Sequence, residues 1–376
     1  MAILLTHEPV VNKSRTITAN RLMVHGSSMD DACDGLNLIA TAWPMERTVL
    51  LSLEGFPLDA TLAEWELPSN TLMELPASFL STPAGAGLAH KLIKRGTGLC
   101  VSNAGHGEQL PPDIPLRFGL VDVNAPHEAL KGIGVPLATG LNNVADFEQA
   151  LADGFAGASG WFFLYDKPTA RKPATSATNV VRVLNLVRKG ADVHEIEEAI
   201  KHDVTLSFRL LRYVNSAAFG LQVEIQSFRH AVTMLGYDKL NKWLSVLMVT
   251  ASKAPGAQAM MQASVTRGRF MEMLGQSFFE KAEWDNLFIT GAFSLLDVLL
   301  GTEMDALLNN MHLPEPVVAA LGRNEGVYAP FLDLARACES DATAFARQIE
   351  ELGIAPDVVN RAELIALSYA DTLQAI

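Results

Sequence analysis

The chain has 376 residues, a formal net charge of −13, 49% hydrophobic residues and 19% charged residues. That length suggests two domains, the apolar share supports folded cores rather than disorder, and the acidic balance disfavours broad binding to nucleic-acid backbones. Cys33, Cys100 and Cys338 stand far apart with no Cys-x-x-Cys pair, so buried reduced thiols are expected instead of a disulfide framework or zinc knuckle.

The opening Met-Ala-Ile-Leu-Leu-Thr-His-Glu lacks a basic segment and has only a short apolar run, so no ordinary secretory signal is expected. The most apolar later run, Leu244 to Ala251 between Lys242 and Lys253, is too short for a membrane span. A cytoplasmic protein is expected.

From Ile17 onward, β-rich runs recur at Ile17–Val24, Thr48–Leu53, Asn70–Leu75, Thr97–Ser102, Phe118–Val123, Val135–Ala138 and Ala158–Phe163. Helical patterns lie between several of them, at Asp31–Trp43, Gly85–Arg95 and Asn143–Asp153. Apolar runs without strict alternation suit strands covered on both faces, as in a parallel sheet or an α/β barrel. A complete eightfold barrel takes about 250 residues. Residues 1–166 fall well short of that, and little more than Pro126–Gly132 separates two of the runs, so a shortened or distorted barrel is predicted.

Residues 167–178 are polar and proline-containing and read as a linker. Beyond it the period becomes helical. Val180, Val183, Leu184 and Val187 fall on one face, and a second helix starts near Asp192 with Ile196, Ala199 and Ile200 inward. The fold class is therefore α/β plus all-α, with domains at 1–166 and 179–376.

The most specific stretch runs from Ile200 to Gly220 and continues at Ile225–Gly236. Asp203 is placed to cap a helix whose apolar face is Leu206, Leu210, Leu211 and Val214, and Asn215-Ser216 would end it. Ser227 can cap the next helix, which carries Ala231 and Leu235, and Gly236 suits its C-terminal left-handed position. These residues, with the Leu210-Leu211-Arg212-x-x-Asn215-Ser216 run, resemble the HDOD family, and later segments such as Leu313–Leu321 resemble its longer members. Such domains are similar to metal-dependent HD phosphohydrolases but generally lack the metal ligands. His202-Asp203 spells "HD", yet adjacent helical residues point about 100° apart and cannot chelate from one face. His194 and His230 read as having no carboxylate or histidine partner three or four residues on. Arg209, Arg212 and Arg229 form a candidate partner- or anion-binding patch, with ordinary solvated or ion-paired arginines as the simpler alternative.

HDOD domains of this kind often follow a degenerate EAL domain, the fold of cyclic di-GMP phosphodiesterases. Ala138–Gly154 followed by Ala158–Phe163 resembles the last two strands and intervening helix of that fold. The resemblance implies metal-binding carboxylates, and most are replaced here: Arg21 stands at the signature glutamate, and Ser52 at a strand-borne asparagine. Ser102 and Asn103 replace a pair of aspartates, Leu120 a lysine, and Thr139 and Asn142 two glutamates. Glu74 and Asp122 are the remnants. The expected function is thus a noncatalytic bacterial signalling protein without cofactor or metal, acting on other signalling proteins as a monomer or homodimer and not on nucleic acid or membrane. The alternatives are a receptor for cyclic di-GMP or another nucleotide, and a residual phosphodiesterase.

Overall fold

The structure is a computed structural model, and it describes residues 3–53, 55–63, 65–104, 108–124, 133–164, 175–201, 206, 209–210, 213–215, 225, 228–249, 257–339 and 342–373. The chain divides into two compact units, one formed by residues 1–166 with 336–368 and the other by residues 167–335 with 369–376. The segment 336–368, assigned from sequence to the helical half, therefore belongs with the strands.

The first unit is a closed barrel of eight strands: β1 (Leu4–Asn12), β2 (Ile17–His25), β3 (Thr48–Ser52), β4 (Thr71–Pro76), β5 (Gly98–Ser102), β6 (Leu116–Asp122), β7 (Pro136–Thr139) and β8 (Gly157–Ser159). Strands β2 to β8 run parallel, whereas β1 lies antiparallel to both β2 and β8 and closes the ring. The barrel is thus complete in strand number. Its economy lies in short strands and in connections such as α1 (Met29–Ile39), α2 (Ala77–Leu80), α3 (Pro83–Lys94) and α4 (Val144–Ala152).

Strand β1 was not anticipated, because Pro9 interrupts an otherwise acceptable run and proline is excluded from the middle of a sheet. The topology accommodates it: β8 pairs with Val10–Asn12 and ends beside Pro9, whose carbonyl still accepts from the Gly160 N–H at 3.1 Å. The expected strand Ala158–Phe163 is also shorter than predicted, ending at Ser159 before a 3-10 turn at Phe162–Leu164.

Alternation fills the barrel in layers. Val10, Ala19, Leu50, Leu72, Cys100, Leu120 and Leu137, one from each of β1 to β7, form a single buried apolar cluster. Two residues further towards the C-terminal ends of the parallel strands, the same faces carry Arg21, Ser52, Glu74, Ser102, Asp122 and Thr139. In antiparallel β1, the residue at that level is Glu8, opposite Arg21.

The helix Pro356–Leu373 is latched to β1 by Asn360. Its side-chain oxygen accepts from the Leu5 N–H at 2.9 Å, and its amide donates to the Ile3 carbonyl at 2.9 Å, both bonds buried.

The second unit is helical. Its first helix, α5 (Thr175–Arg188), begins inside the expected linker, and α6 (Val193–Lys201) follows with the Asp192 carboxylate accepting from the His194 N–H. Val180, Val183, Leu184, Val187, Ile196, Ala199 and Ile200 are all buried, as the helical period predicts. Phe228–Val249 runs on past the expected stop, but Gly236 has φ 70° and ψ 170° and breaks it into two helices. The helices Ala257–Gly275 and Trp284–Phe293 approach closely because Gly268 and Gly291 face one another's backbone. A Cβ on Gly291 would lie 2.5 Å from the Arg267 carbonyl oxygen, and one on Gly268 would lie 2.7 Å from that of Phe288. Met260 and Met271 are core residues of this unit. No helix among the described residues is long and apolar enough to cross a membrane.

Asn360→Ala should lower stability by about 2–4 kcal/mol, since two buried backbone groups of the β1 end lose their partners. Urea denaturation of the full chain measures this, and an unchanged midpoint would refute the latch.

Candidate functional site

Ligand chemistry in α/β barrels gathers at the C-terminal ends of the parallel strands. Here that end carries the polar layer. Arg21 on β2 reaches Glu74 on β4 across the lumen, past the intervening β3. Its Nε donates to Glu74 Oε2 at 2.8 Å and its Nη2 to Oε1 at 2.7 Å, a bidentate fork. Its Nη1 donates to Glu8 Oε2 at 3.1 Å, and the Ser159 hydroxyl donates to the same oxygen at 3.0 Å. The network thereby joins β4, β2, β1 and β8.

Arg21, Glu74, Ser52 and Ser102 are all buried. Burial works against the Arg21 charge, but the adjoining Glu74 and then Glu8 outweigh it and raise its pKa above the ordinary arginine value. Arg21 is therefore a permanent cation. One layer below, burial and the Glu74 charge push the Cys100 thiol well up, so Cys100 is an inert core thiol.

Nearer the mouth, Asp122 is exposed, and its Oδ1 accepts from the backbone and side-chain N–H groups of Asn124 at 2.7 and 2.9 Å. Thr139 pairs in register with Asp122. Asn103 holds a left-handed φ of 52° just after β5. Asn142 is exposed and donates its N–H to Asp146, while the neighbouring Asn143 caps α4. Leu120 belongs to the apolar layer and not to the polar one.

A pair of divalent ions does not fit this donor set. Both Glu74 oxygens and Glu8 Oε2 already accept from Arg21, a guanidinium offers no lone pair, and among the described residues the buried neighbours Ser52 and Ser102 contribute hydroxyls.

In the helical unit, Leu206, Leu210 and Val214 are buried, as expected of one helix face. The Asn215 amide clasps Ile225 at both ends, donating to its carbonyl at 2.8 Å and accepting from its N–H at 2.7 Å. Ala231 and Leu235 are buried beside the Gly236 break. His202, Asp203, Leu211, Arg212, Ser216 and Ser227 lie outside the described residues. Arg209 is exposed, and Arg229 is engaged by Glu197, its Nε donating to Oε2 at 3.1 Å. His194 does have a carboxylate three residues on, contrary to expectation: its Nδ1 lies 3.7 Å from that same Glu197 oxygen. The missed signal was the plain i,i+3 spacing.

Residues 173–298 match the HDOD domain family model. The chain is 31% identical over 234 residues to the cyclic di-GMP phosphodiesterase CdgJ of Vibrio cholerae, covering 61% of this chain and 54% of that protein. It is 25% identical over 210 residues to the uncharacterized protein YuxH of Bacillus subtilis, covering 54% of this chain and 51% of that one. The chain thus spans about half the length of the curated relatives it matches. The expectation that the chain is not an enzyme is corrected by the first relative, whose name points to an enzyme at modest identity.

Replacing Arg21 by methionine should cost about 3–5 kcal/mol, because Glu74 is left as an uncompensated buried charge. A double replacement of Arg21 and Glu74 by methionine should cost clearly less than the sum of the two single changes, as a double-mutant cycle in urea would read. Additive losses would contradict the coupling. The fold and the family match together establish that the chain carries an HDOD domain in a helical unit, alongside a closed eight-stranded barrel.

Proposed function

We propose that this chain acts in cyclic di-GMP signalling, with the barrel meeting the dinucleotide and the HDOD-containing helical unit meeting a protein partner. The observation that carries the reading is the polar layer at the C-terminal ends of the parallel strands, in a chain similar to a protein named as a cyclic di-GMP phosphodiesterase. The barrel is EAL-like in this reading, with Glu74 and Asp122 as its retained carboxylates.

The chemistry of the mouth suits a ligand recognised by hydrogen bonds rather than by net charge. Arg21 is balanced by Glu74 and Glu8 below it, and Ser52, Ser102 and Thr139 add hydroxyls that both donate and accept. Asp122, Asn103 and Asn142 stand exposed at the rim, able to contact base or ribose edges. The charges of the helical unit nearly balance, which leaves no basic excess to hold a phosphate backbone.

Calorimetry of the full chain with cyclic di-GMP should give saturable binding, weakened about tenfold or more by Asp122→Asn, a change that keeps the Asn124 hydrogen bonds available. Product analysis with Mg²⁺ or Mn²⁺ added reads turnover to the linear dinucleotide in the same samples. Either binding or turnover supports the proposal; neither heat nor product would remove it.

A further inference from the structure

One buried cluster of ionisable side chains stands apart from the lumen network. His7 on β1, Cys338 at the end of the helix Ala329–Cys338, and Glu363 on the helix Pro356–Leu373 bring a nitrogen, a sulfur and an oxygen within 4.8 Å of one another, and all three residues are buried. Cys338 Sγ lies 4.0 Å from His7 Nδ1, and Glu363 Oε1 lies 2.5 Å from that nitrogen. We propose that His7, Cys338 and Glu363 form a structural binding site for a transition-metal ion of the zinc class, fastening the C-terminal helices to strand β1.

The donor set is the first argument. An imidazole nitrogen, a thiolate and a carboxylate oxygen are the three ligand types that zinc takes, at bond lengths of about 2.0–2.3 Å. Tetrahedral ligation at those lengths separates donors by about 3.3–3.8 Å. The Sγ–Nδ1 distance lies just above that span, while Nδ1 and Oε1 stand at a hydrogen-bonding distance and would spread apart as the ion replaces the proton between them.

The second argument is a buried ion pair. Glu363 Oε1 lies against His7 Nδ1 with both residues buried. Burial of paired charges carries a desolvation cost, which a divalent cation taking both groups as ligands would share. The imidazole is also held in place: the Trp161 ring meets it edge-on at 4.9 Å, and Trp161 Nε1 donates to the His7 carbonyl at 2.9 Å. Orientation of this kind is what a ligand histidine needs.

Charge balance agrees. On binding, the thiol proton and the proton between His7 Nδ1 and Glu363 both leave to water, the sulfur–metal bond forms, and His7 coordinates through the freed Nδ1 lone pair with its remaining proton on Nε2. Thiolate and carboxylate then neutralise the divalent charge. These three donors leave a fourth position that a buried water would fill, and burial closes it to substrate, so the ion is structural rather than catalytic. Residues 331 apart in the chain are joined, the kind of closure that metal binding couples to folding.

The test uses the full chain refolded with Co²⁺ as the probe, followed by desalting. A single cobalt per chain and a sulfur-to-cobalt charge-transfer band, both removed by excess Zn²⁺, are expected. Cys338→Ser should abolish the band and weaken retention by about tenfold or more, while Cys33→Ser leaves both intact. Should Cys338→Ser not fold, the urea midpoint of the unaltered chain with and without Zn²⁺ serves in its place and should rise with the metal. A folded chain that retains no cobalt, a band that survives Cys338→Ser, or a midpoint indifferent to Zn²⁺ would overturn the proposal. None of these readouts involves cyclic di-GMP, so the two proposals fail separately.

Discussion

The barrel is organised around a guanidinium held across its lumen. A buried arginine is tolerable only where acceptors surround it, and Arg21 finds three oxygens, two on Glu74 and one on Glu8. To bring those oxygens together the sheet must close, since β2 and β4 are not neighbours and meet only through the interior. It also needs β1 reversed, because the antiparallel register places Glu8 opposite Arg21. The apolar cluster one layer down keeps water from the underside of this network, and the exposed rim residues lie above it.

This arrangement changes the meaning of the sequence. Taken singly, arginine at a position where glutamate is expected looks like damage, and Glu74 looks like a leftover. Together they are a matched pair whose fork geometry requires both. Their separation of 53 residues conceals this, because pairing through a barrel interior leaves no periodic trace. The strands β2 to β7 were legible because each is a short apolar run between turn signals, covered on both faces. Strand β1 was not legible, since Pro9 and the polar His7 and Glu8 disguise it. The same holds for residues 336–368: their helical period was plain, but a period does not say which unit a helix packs against. Asn360 and Glu363, whose partners lie more than 350 residues away, could not have been found locally.

The helical unit was easier to anticipate. Its inward faces follow the 3.6-residue period, and the family pattern names positions that the structure puts to physical use. Asn215 is one: an amide side chain completing both hydrogen bonds of the Ile225 backbone holds together two residues ten apart in the chain. Gly236 is another, since its positive φ breaks a helix that local propensity alone would continue. The pairing of Gly268 with Gly291 was not foreseen. It rests on two helices meeting at their backbones, which neither sequence segment reveals alone.

The central claim is that the mouth above the Arg21 network is where cyclic di-GMP meets this protein. Hydrogen exchange of the full chain with and without saturating dinucleotide tests it directly. The account predicts slowed exchange at the C-terminal ends of β3, β5, β6 and β7, around Ser52, Ser102, Asp122 and Thr139. Protection confined to the HDOD-matched residues 173–298, with the barrel ends unchanged, would contradict it.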